Sequence, residues 1–326
     1  MNILVTGGAG FIGSVITDRL LERGDRVVCI DSFDDFYDPA LKRRNIAAAC
    51  ENPKFTLEEG DIRDESFLDR LAKAHAIDAV VHSAARAGGR PASPHPKLYE
   101  DDNLKGTMHL LEMARTVEPK NFVFLSSSSV YGVNDKVPFS ETDFVDHPIS
   151  PYAATKKACE LICHTYHHLF GLNITCIRPF TVYGPRQRPE MAIHKFTRMI
   201  DEGRPIPMFG DGTSRRDYTY VDDLVDGIVR AVDRPLGYDV INLGEQDTIS
   251  LRDLINLIEK HLGKTANIDQ QPDQPGDVPL TFADISRARE RLGYDPQVKV
   301  QEGVRRFVDW YRKTNSHETE GKEIGL

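Results

Sequence analysis

The stretch Thr6-Gly7-Gly8-Ala9-Gly10-Phe11-Ile12-Gly13 follows a short apolar run, Ile3-Leu4-Val5, and leads into an amphipathic segment at residues 11–23. This order predicts a buried strand, a tight turn and a helix, with a second strand at residues 26–30. Glycines spaced as G-x-x-G-x-x-G let the backbone approach a pyrophosphate, whose charge is stabilised at a helix N-terminus. We therefore expect these residues of the turn to bind a dinucleotide: Gly7, Gly10, Phe11, Ile12 and Gly13.

Acidic residues at the ends of the next two predicted strands specify the dinucleotide. Asp31 can accept hydrogen bonds from both hydroxyls of an adenosine ribose and would repel a 2′-phosphate, so NAD is favoured over NADP. The basic residues 42–44 could instead take a 2′-phosphate, but we favour a solvated start of a helix for them. Asp61 and Ile62 follow a further short strand and are expected at the adenine, although Asp61 could also cap a helix.

Tyr152 and Lys156 form a Y-x-x-x-K pattern. On a helix this spacing places the phenol and the ammonium on one face, where the cation would favour phenolate and lower the tyrosine pKa. Such pairs also occur by chance in many helices, where they are structural. Together with a dinucleotide-binding turn, the pattern predicts a proton-transfer group beside a redox cofactor.

Length and charge limit the possible partners. The chain has 326 residues, of which 40% are hydrophobic, enough for two domains or one large domain with a lobe. Its net charge of −9 argues against a nucleic-acid partner, because such partners bind basic surfaces. No apolar stretch approaches the ~18 residues that cross a bilayer, so no membrane partner is expected. The early glycine turn is not typical of a signal peptide.

The cysteines and histidines indicate a reducing compartment and no metal site. The five cysteines are scattered, without the C-x-x-C spacing of zinc sites or the pairing of a disulfide framework. His164, His167 and His168 have no carboxylate or cysteine at ligand spacing, and a solvated helix face explains them. We therefore expect a cytoplasmic protein without a bound metal.

Strand and helix signals alternate through the first half of the chain. Further strands are expected at residues 79–82, 121–125 and 175–178, and a helix at residues 98–117. This alternation predicts an α/β fold with a Rossmann-type doubly wound parallel sheet.

The pattern changes after the last of these strands, where proline, glycine and arginine become frequent. We expect a dinucleotide-binding domain at residues 1–179, to which some later segments return, and a smaller α/β lobe at 180–313 that mainly binds substrate. A final amphipathic helix is predicted at 301–312, followed by a frayed polar tail at 314–326.

Several further blocks occur in the order found in one enzyme family. With the glycine turn, S-S-S-S-V-Y-G at 126–132 and Y-A-A-T-K at 152–156, the chain resembles the extended short-chain dehydrogenase/reductases, and within them the nucleotide-sugar epimerases and dehydratases. The resemblance covers nearly the whole chain. Its other blocks are R-P-F at 178–180, V-Y-G-P at 182–185, R-D-Y-T-Y-V-D-D at 216–223 and P-G-D-V-P at 275–279.

The resemblance implies roles for the residues around the tyrosine. Tyr152 would be the acid/base, Lys156 would hold the nicotinamide ribose and bias the tyrosine toward phenolate, and Ser127 would hydrogen-bond the reacting hydroxyl. Ser128 and Ser129 would contact the sugar. These roles agree with the oxidation of a secondary alcohol, which needs a base at the hydroxyl while the cofactor takes the hydride.

Within this family, G-P-R-Q-R-P-E-M-A at 184–192 most resembles the UDP-glucuronate 4-epimerases. An arginine there can bind a hexuronate carboxylate through two parallel hydrogen bonds. We favour Arg188 for this contact, with Arg186 in reserve, and both could also be solvated loop residues. The resemblance also implies residues that bind the sugar, the diphosphate or the uridine ribose: Gly88, Arg90, Thr181, Arg216 and Asp277.

The resemblance thus implies an NAD-dependent 4-epimerase that converts UDP-glucuronate to UDP-galacturonate through a transient 4-keto sugar. UDP-glucose or UDP-N-acetylglucosamine 4-epimerases and UDP-glucuronate decarboxylases are the nearest alternatives. A dehydratase fits less well, because Ser128-Ser129 replaces its Asp-Glu pair, and a non-catalytic nucleotide sensor would not need Tyr152 and Lys156. The family commonly forms homodimers through paired helices, for which residues 98–117 and 153–169 are suitable.

Overall fold

The computed structural model describes residues 1–92, 94–272 and 278–323. Its strands are β1 (Asn2–Thr6), β2 (Arg26–Asp31), β3 (Phe55–Glu59), β4 (Ala79–His82), β5 (Asn121–Leu125), β6 (Ile174–Pro179), β7 (Thr181–Tyr183), β8 (Ile206–Phe209), β9 (Arg215–Arg216), β10 (Tyr218–Tyr220), β11 (Tyr238–Leu243), β12 (Ile249–Ser250) and β13 (Ile268–Gln271).

Its helices are α1 (Phe11–Glu22), α2 (Pro39–Asn45), α3 (Ala47–Cys50), α4 (Glu65–Ala74), α5 (Gly89–Ala92), α6 (Pro96–Tyr99), α7 (Gly106–Val117), α8 (Pro151–Phe170), α9 (Ala192–Asp201), α10 (Val221–Asp233), α11 (Leu251–Leu262), α12 (Ser286–Leu292) and α13 (Val300–Glu323). A π-helical turn at Glu100–Lys105 and a 3-10 turn at Ser128–Tyr131 complete the regular structure of the described residues.

One parallel sheet organises the described part of the chain. Its seven strands have the order β3-β2-β1-β4-β5-β6-β11. Helices α1 and α10 pack on one face, and α4, α7 and α8 pack on the other, so the central strands are buried on both sides and read as continuous apolar runs. The predicted Rossmann-type α/β fold is confirmed, β4 and β5 have the predicted bounds, and β1 contains the apolar run at residues 3–5.

The second half of the chain contributes both to this sheet and to a lobe. In the lobe, β7 pairs with β10, β8 with β13 and β9 with β12, around a separate apolar core that includes Phe196, Leu254 and Phe307. Strand β11 lies instead at the edge of the main sheet, beside β6. The predicted division at residue 180 stays a prediction, because the chain crosses between the two regions after that point.

Two predicted helices have different bounds in the structure. The helix expected at 98–117 is divided into α6, the π-helical turn and α7, and in that turn the amide of Asn103 bonds the backbone of Arg86 and the hydroxyl of Thr155. The helix predicted at 301–312 is longer in the structure, since α13 runs from Val300 to Glu323, and the frayed polar tail at 314–326 stays a prediction. The segment contains no proline to end the helix, so its polar residues extend it.

Candidate active site

A cleft of about 390 Å³ lies at the carboxyl ends of β1, β2, β4 and β5, where the strand order reverses. This is the position at which doubly wound sheets bind their ligands. Predicted cofactor, catalytic and substrate residues share this cleft although they are distant in sequence. Those that line it are Gly7, Gly10, Phe11, Ile12, Gly13, Asp31, Asp61, Ile62, Tyr152, Lys156 and Arg188.

The glycine turn forms a close-fitting cradle at the start of α1. A Cβ placed at Gly13 would lie 2.0 Å from the carbonyl oxygen of Gly7, and Gly7 has φ of +66°. Gly10 is the N-cap of α1 and has no side chain to occupy the first N–H groups of the helix. Because Gly10 and the first helical residues line the cleft, backbone N–H groups with partial positive charge are available to a pyrophosphate. The turn therefore fits a dinucleotide.

Asp31 is buried and joins the glycine turn to the loop that follows β2. Its Oδ2 accepts a hydrogen bond from the N–H of Ala9 at 3.0 Å, and its Oδ1 accepts one from the N–H of Phe33 at 2.9 Å. Burial raises the pKa of this carboxyl, whereas the two N–H groups and Lys42 oppose the shift. Each carboxylate oxygen retains acceptor capacity for a ribose hydroxyl.

The prediction of a solvated helix start is wrong for Lys42. This residue lies in the last turn of α2 and is 5% exposed. Its ammonium donates to the carbonyl of Asp34 at 2.8 Å, pairs with the carboxylate of the same residue and lies 4.9 Å from the ring centre of Tyr37. The amphipathic stem is therefore covered, and the charge is held at the edge of the cleft.

Asp61 is held by an arginine rather than serving as a helix cap. It accepts hydrogen bonds from the backbone N–H of Arg63 at 2.8 Å and from its guanidinium at 3.0 Å, whereas Asp64 caps α4. Partial burial opposes the shift, but these bonds hold the pKa of Asp61 below its usual value. Arg63 also pairs with Asp101 at 2.7 Å and Asp102 at 2.8 Å, so this wall of the cleft is a charged network.

Tyr152 lies in the first turn of α8 and faces the cleft. Burial raises the pKa of its phenol, while a hydrogen bond with Ser127 and the positive charge of Arg188 act in the lowering direction. Ser127 thus lies close enough to the phenol to influence its pKa, even though it does not line the cleft. The phenol, the hydroxyl and the guanidinium form one group.

The predicted lowering of the Tyr152 pKa by Lys156 is contradicted for the protein alone. The ammonium of Lys156 donates to the carbonyl of Leu125 at 2.7 Å and lies 4.9 Å from the ring centre of Phe124. Burial lowers the pKa of Lys156 to about 8, and it is the dominant influence on the phenol as well, whose pKa is raised. Desolvation therefore sets the direction of both pKa shifts.

A buried ion pair supports the strand end that carries the serines. The carboxylate of Glu160 on α8 accepts two bonds from Arg178 on β6, at 2.8 and 2.7 Å, and one from the hydroxyl of Ser126 at 2.6 Å. Arg178 also donates to the hydroxyl of Tyr131 at 3.1 Å. The helix that bears Tyr152 is thus joined to the residue that precedes Ser127.

The two arginines of the block at 184–192 lie in different places. Arg188 lines the cleft, 5.7 Å from the ring centre of Phe36, and its Nε donates to Glu190 at 2.6 Å. Arg186 has φ of +68° and pairs with Asp18 of α1 at 2.7 Å, outside the lining of the cleft. The local backbone conformation therefore places Arg188, the favoured ligand of the carboxylate, in the cleft lining and Arg186, the alternative, outside it.

Other predicted substrate residues lie outside the cleft lining. Ser128 and Ser129 begin the 3-10 turn, where the N–H of Ser129 donates to the Ser127 hydroxyl at 3.1 Å. The N–H of Thr181 donates to the carbonyl of Asp217 at 3.1 Å, which brings β7 next to the segment that follows Arg216.

Three further residues, Gly88, Arg90 and Asp277, are predicted to contact the sugar or the uridine ribose. Gly88 has φ of +97° in the loop before α5, a conformation that suits glycine. The side chain of Arg90 and the whole of Asp277 lie outside the described residues, so their predicted contacts stay predictions.

Several cleft residues were not predicted from the sequence. The loop that follows β4 contributes Ser83 and Arg86, and the loop that follows β2 contributes Phe36 and Tyr37. Both loops follow carboxyl ends of adjacent parallel strands, which is a signal that the sequence contains. Asn103, which lies outside the cleft lining, was also missed, because it stands in the polar stretch E-D-D-N at 100–103, where the pattern does not indicate its buried contacts.

The described residues contain neither a membrane-spanning helix nor a cluster of metal ligands. None of the helices in the described ranges is long and apolar enough to cross a membrane. In the same ranges, no three or more His, Cys, Asp and Glu side chains are grouped so that they could hold a metal ion.

Comparisons with known proteins agree with this geometry. The model of the NAD dependent epimerase/dehydratase family matches residues 3–244. A UDP-glucuronate 4-epimerase of Thermodesulfobacterium geofontis (strain OPF15) is 42% identical over 311 residues, which cover 95% of this chain and 96% of that protein. A crystal structure of UDP-glucuronic acid 4-epimerase from Bacillus cereus, in complex with UDP-glucuronic acid and NAD, has a TM-score of 0.91 at 38% identity and covers 96% of this chain and 100% of that one. A UDP-glucose 4-epimerase from Thermotoga maritima, with UDP-glucose, has a TM-score of 0.89 at 34% identity, covering 97% and 100%.

Proposed function

The chain belongs to the NAD dependent epimerase/dehydratase family, and from this premise we propose that it interconverts UDP-glucuronate and UDP-galacturonate by NAD-dependent epimerisation at C4. The observation that carries the proposal is the position of Arg188 in the cleft, near enough to Tyr152 to influence its pKa. In a hexuronate the carboxylate carbon is separated from C4 only by C5. A cation beside the acid/base at C4 is therefore suited to an acid sugar.

The protein's own groups account for the proton transfer. Tyr152 would accept the proton of the C4 hydroxyl and return it after the sugar has turned, and Ser127, which lowers the pKa of the phenol, would hydrogen-bond the reacting hydroxyl. The lowering influence of Ser127 and Arg188 opposes the raising of the tyrosine pKa by burial. NAD, when bound, takes the hydride from C4 and gives it back to the opposite face of the 4-keto sugar.

Arg188 would also suppress a side reaction, the loss of CO2 from the 4-keto sugar. The 4-keto hexuronate is a β-keto acid, which loses CO2 when its carboxylate is aligned with the ketone. A bidentate contact from Arg188 would hold the carboxylate close to the ring plane, where that alignment is poor. Release of UDP-pentose and CO2 by an arginine variant would support this role.

The lobe would supply the contacts to the UDP portion, and sugar contacts would come from both regions of the chain. The segment 180–313 would mainly bind the UDP portion, with Arg216 at the diphosphate and Asp277 at the uridine ribose. Sugar contacts are assigned to one further group: Gly88, Arg90, Ser128, Ser129 and Thr181. The family resemblance supports these assignments.

We further propose a homodimer through α7 and α8. These helices pack together, and Tyr166 of α8 donates to Glu112 of α7. Their outer residues include large exposed apolar side chains, such as Leu161 at 58% and Leu169 at 62%. Light scattering should give twice the mass of the chain, and Leu161→Asp should give the monomer. Ile268→Asp, on β13, is the control and should leave the mass unchanged.

A reducing compartment is part of the same proposal. The five cysteines are all free thiols, and four of them are buried. The fold therefore contains none of the disulfide bonds that are typical of proteins in oxidising compartments. We assign the protein to the cytoplasm, where fractionation of the native host should recover it.

Proton NMR of UDP-glucuronate incubated with the protein and NAD tests the activity. UDP-galacturonate should accumulate with little pentose, whereas epimerisation of UDP-glucose alone would reject the uronate assignment. Arg188→Ala should lower kcat/KM for UDP-glucuronate by about one to two decades, since a charge-assisted hydrogen bond contributes about 1.5–3 kcal/mol. Arg186→Ala is the matched control, because that arginine pairs with Asp18 instead.

A further inference from the structure

Phe36 contacts two arginines of the cleft. Its ring centre lies 5.4 Å from the guanidinium carbon of Arg86 and 5.7 Å from that of Arg188. Both distances are within the range in which a guanidinium is attracted to an aromatic face. All three residues line the cleft. One half-buried ring therefore connects the loop after β2 with the loop after β4 and with the block at 184–192.

The two arginines differ in how firmly the protein holds them. Arg86 pairs with Asp102 at 2.5 Å and with Asp34 at 3.5 Å, and its backbone N–H donates to Asn103 at 2.9 Å. In the described part of the chain, the hydrogen bonds of the Arg188 side chain run only to Glu190, whose own side chain is 44% exposed. Arg86 is therefore held by two carboxylates, whereas Arg188 has one solvated carboxylate and the ring of Phe36.

The loop that carries Phe36 is tied to the predicted ribose ligand. The carboxylate of Asp31 accepts the N–H of Phe33, and Lys42 holds the carbonyl of Asp34 at 2.8 Å. These bonds hold the backbone two and three residues before Phe36, and the second of them ties the loop to α2. The ring is therefore attached to a supported loop, while Glu190 is a solvated contact.

We propose that Phe36 is a positioning residue that sets the preference for a uronate, because its ring holds the guanidinium of Arg188 beside Tyr152 with the two Nη groups toward the sugar. The proposal rests on the proposed function. Glu190 occupies the Nε edge of the guanidinium. The other edge is then presented as a preorganised fork for the substrate carboxylate.

Binding to the NAD-loaded protein tests the role of the ring. Calorimetry should give the Kd of UDP-glucuronate and of UDP-glucose for the parent, Phe36→Leu and Phe36→Tyr, each with its NAD content measured and saturated. The Kd of UDP-glucose divided by the Kd of UDP-glucuronate measures the preference for the uronate. This ratio should fall about five- to thirtyfold in Phe36→Leu, because a partly desolvated cation–π contact is lost. Phe36→Tyr keeps the ring and should restore the ratio.

Further variants separate positioning from packing. Phe144→Leu removes an exposed phenylalanine that is absent from the cleft lining and should leave the ratio unchanged. Glu190→Gln should change the ratio less than Phe36→Leu, because its contact is solvated. In Arg188→Ala, adding Phe36→Leu should have no further effect on the ratio, since the ring acts through the arginine.

The outcomes distinguish a failure of the proposed role of Phe36 from a failure of the proposed function. A parent protein with no preference for UDP-glucuronate would reject the proposed function. A parent with that preference, which Phe36→Leu retains, would reject the role of the ring. Equal weakening of both ligands in Phe36→Leu would also reject it, because loop damage does not discriminate between sugars. If Phe36→Leu does not fold, Phe36→Met gives the same comparison with an unbranched side chain of similar length.

Discussion

Glu160→Gln should destabilise the protein through the buried arginine that it leaves behind. Side-chain exposures of 1% for Glu160 and 2% for Arg178 mean that the guanidinium cannot regain solvent when its counter-ion is neutralised. Breaking a buried ion pair by removing one partner costs about 3–5 kcal/mol. The substitution keeps the shape of the side chain, so this cost is mainly electrostatic.

The chain length converts that cost into a melting temperature. An unfolding entropy of about 2.1 cal/mol/K per residue gives about 0.7 kcal/mol/K for the 326 residues. The expected decrease in melting temperature is therefore about 4–7 °C. Turnover should also fall, by roughly tenfold, because the amide has one acceptor oxygen where the carboxylate has two, and its NH2 group faces the guanidinium, which disturbs the strand end that carries Ser126 and Ser127.

Scanning calorimetry with two comparison variants checks the reasoning. The double variant Glu160→Met/Arg178→Met removes both charges and should recover most of the lost stability, as apolar replacements of buried pairs often do. Glu302→Gln removes an exposed partner of Arg305 and Arg306 and should leave the melting temperature nearly unchanged. A Glu160→Gln protein that melts within a degree of the parent would refute the assignment of an uncompensated buried charge.

Three further expectations concern the cleft and its surroundings. Tyr152→Phe should retain UDP binding by calorimetry while turnover falls by about 10²–10⁴-fold, and near-normal turnover would exclude Tyr152 as the acid/base. Asp31→Ala should weaken NAD binding, and NADP bound by the purified parent would show that the ribose assignment is wrong. Burial lowers the pKa of His82 to about 3, so between about pH 6.5 and pH 3 the unfolded chain binds a proton that the folded protein excludes, and stability falls as the pH falls through that window. The melting temperature of His82→Gln should depend less on pH between about 5 and 6.5 than that of the parent, and identical slopes would contradict the neutral, buried state of this histidine.

Local features of the fold were predictable because they depend on neighbouring residues. The strand Asn2–Thr6 and the glycine turn follow from an apolar run and from a spacing that no other residue type tolerates, as the 2.0 Å approach at Gly13 illustrates. The bounds of the helix predicted at 98–117 depended instead on Asn103, whose amide bonds residues that are distant in sequence. Tertiary contacts of this kind leave little trace in periodicity.

In the candidate site, too, properties that depend on burial and on tertiary contacts could not be predicted from the sequence. Y-x-x-x-K placed Tyr152 and Lys156 on one face of a helix, but the direction of the tyrosine pKa depends on burial, which spacing does not reveal. Likewise, the sequence alone does not show which of Arg186 and Arg188 lines the cleft. A positive φ at Arg186 and its pairing with Asp18 decide which of the two reaches the cleft.

Specificity in this protein is expected to reside in loops rather than in the sheet. The sheet and the glycine turn fix the dinucleotide, and α8 fixes Tyr152, in a way that would serve many secondary alcohols. If Arg188 binds the carboxylate as we propose, the acid sugar is selected where Phe36 and Arg188 meet, on two loops that can vary while the sheet stays the same. Because the first of these loops is also bonded to Asp31, cofactor binding and carboxylate recognition share one support. A change in that loop should therefore alter the choice of sugar before it alters the chemistry at C4.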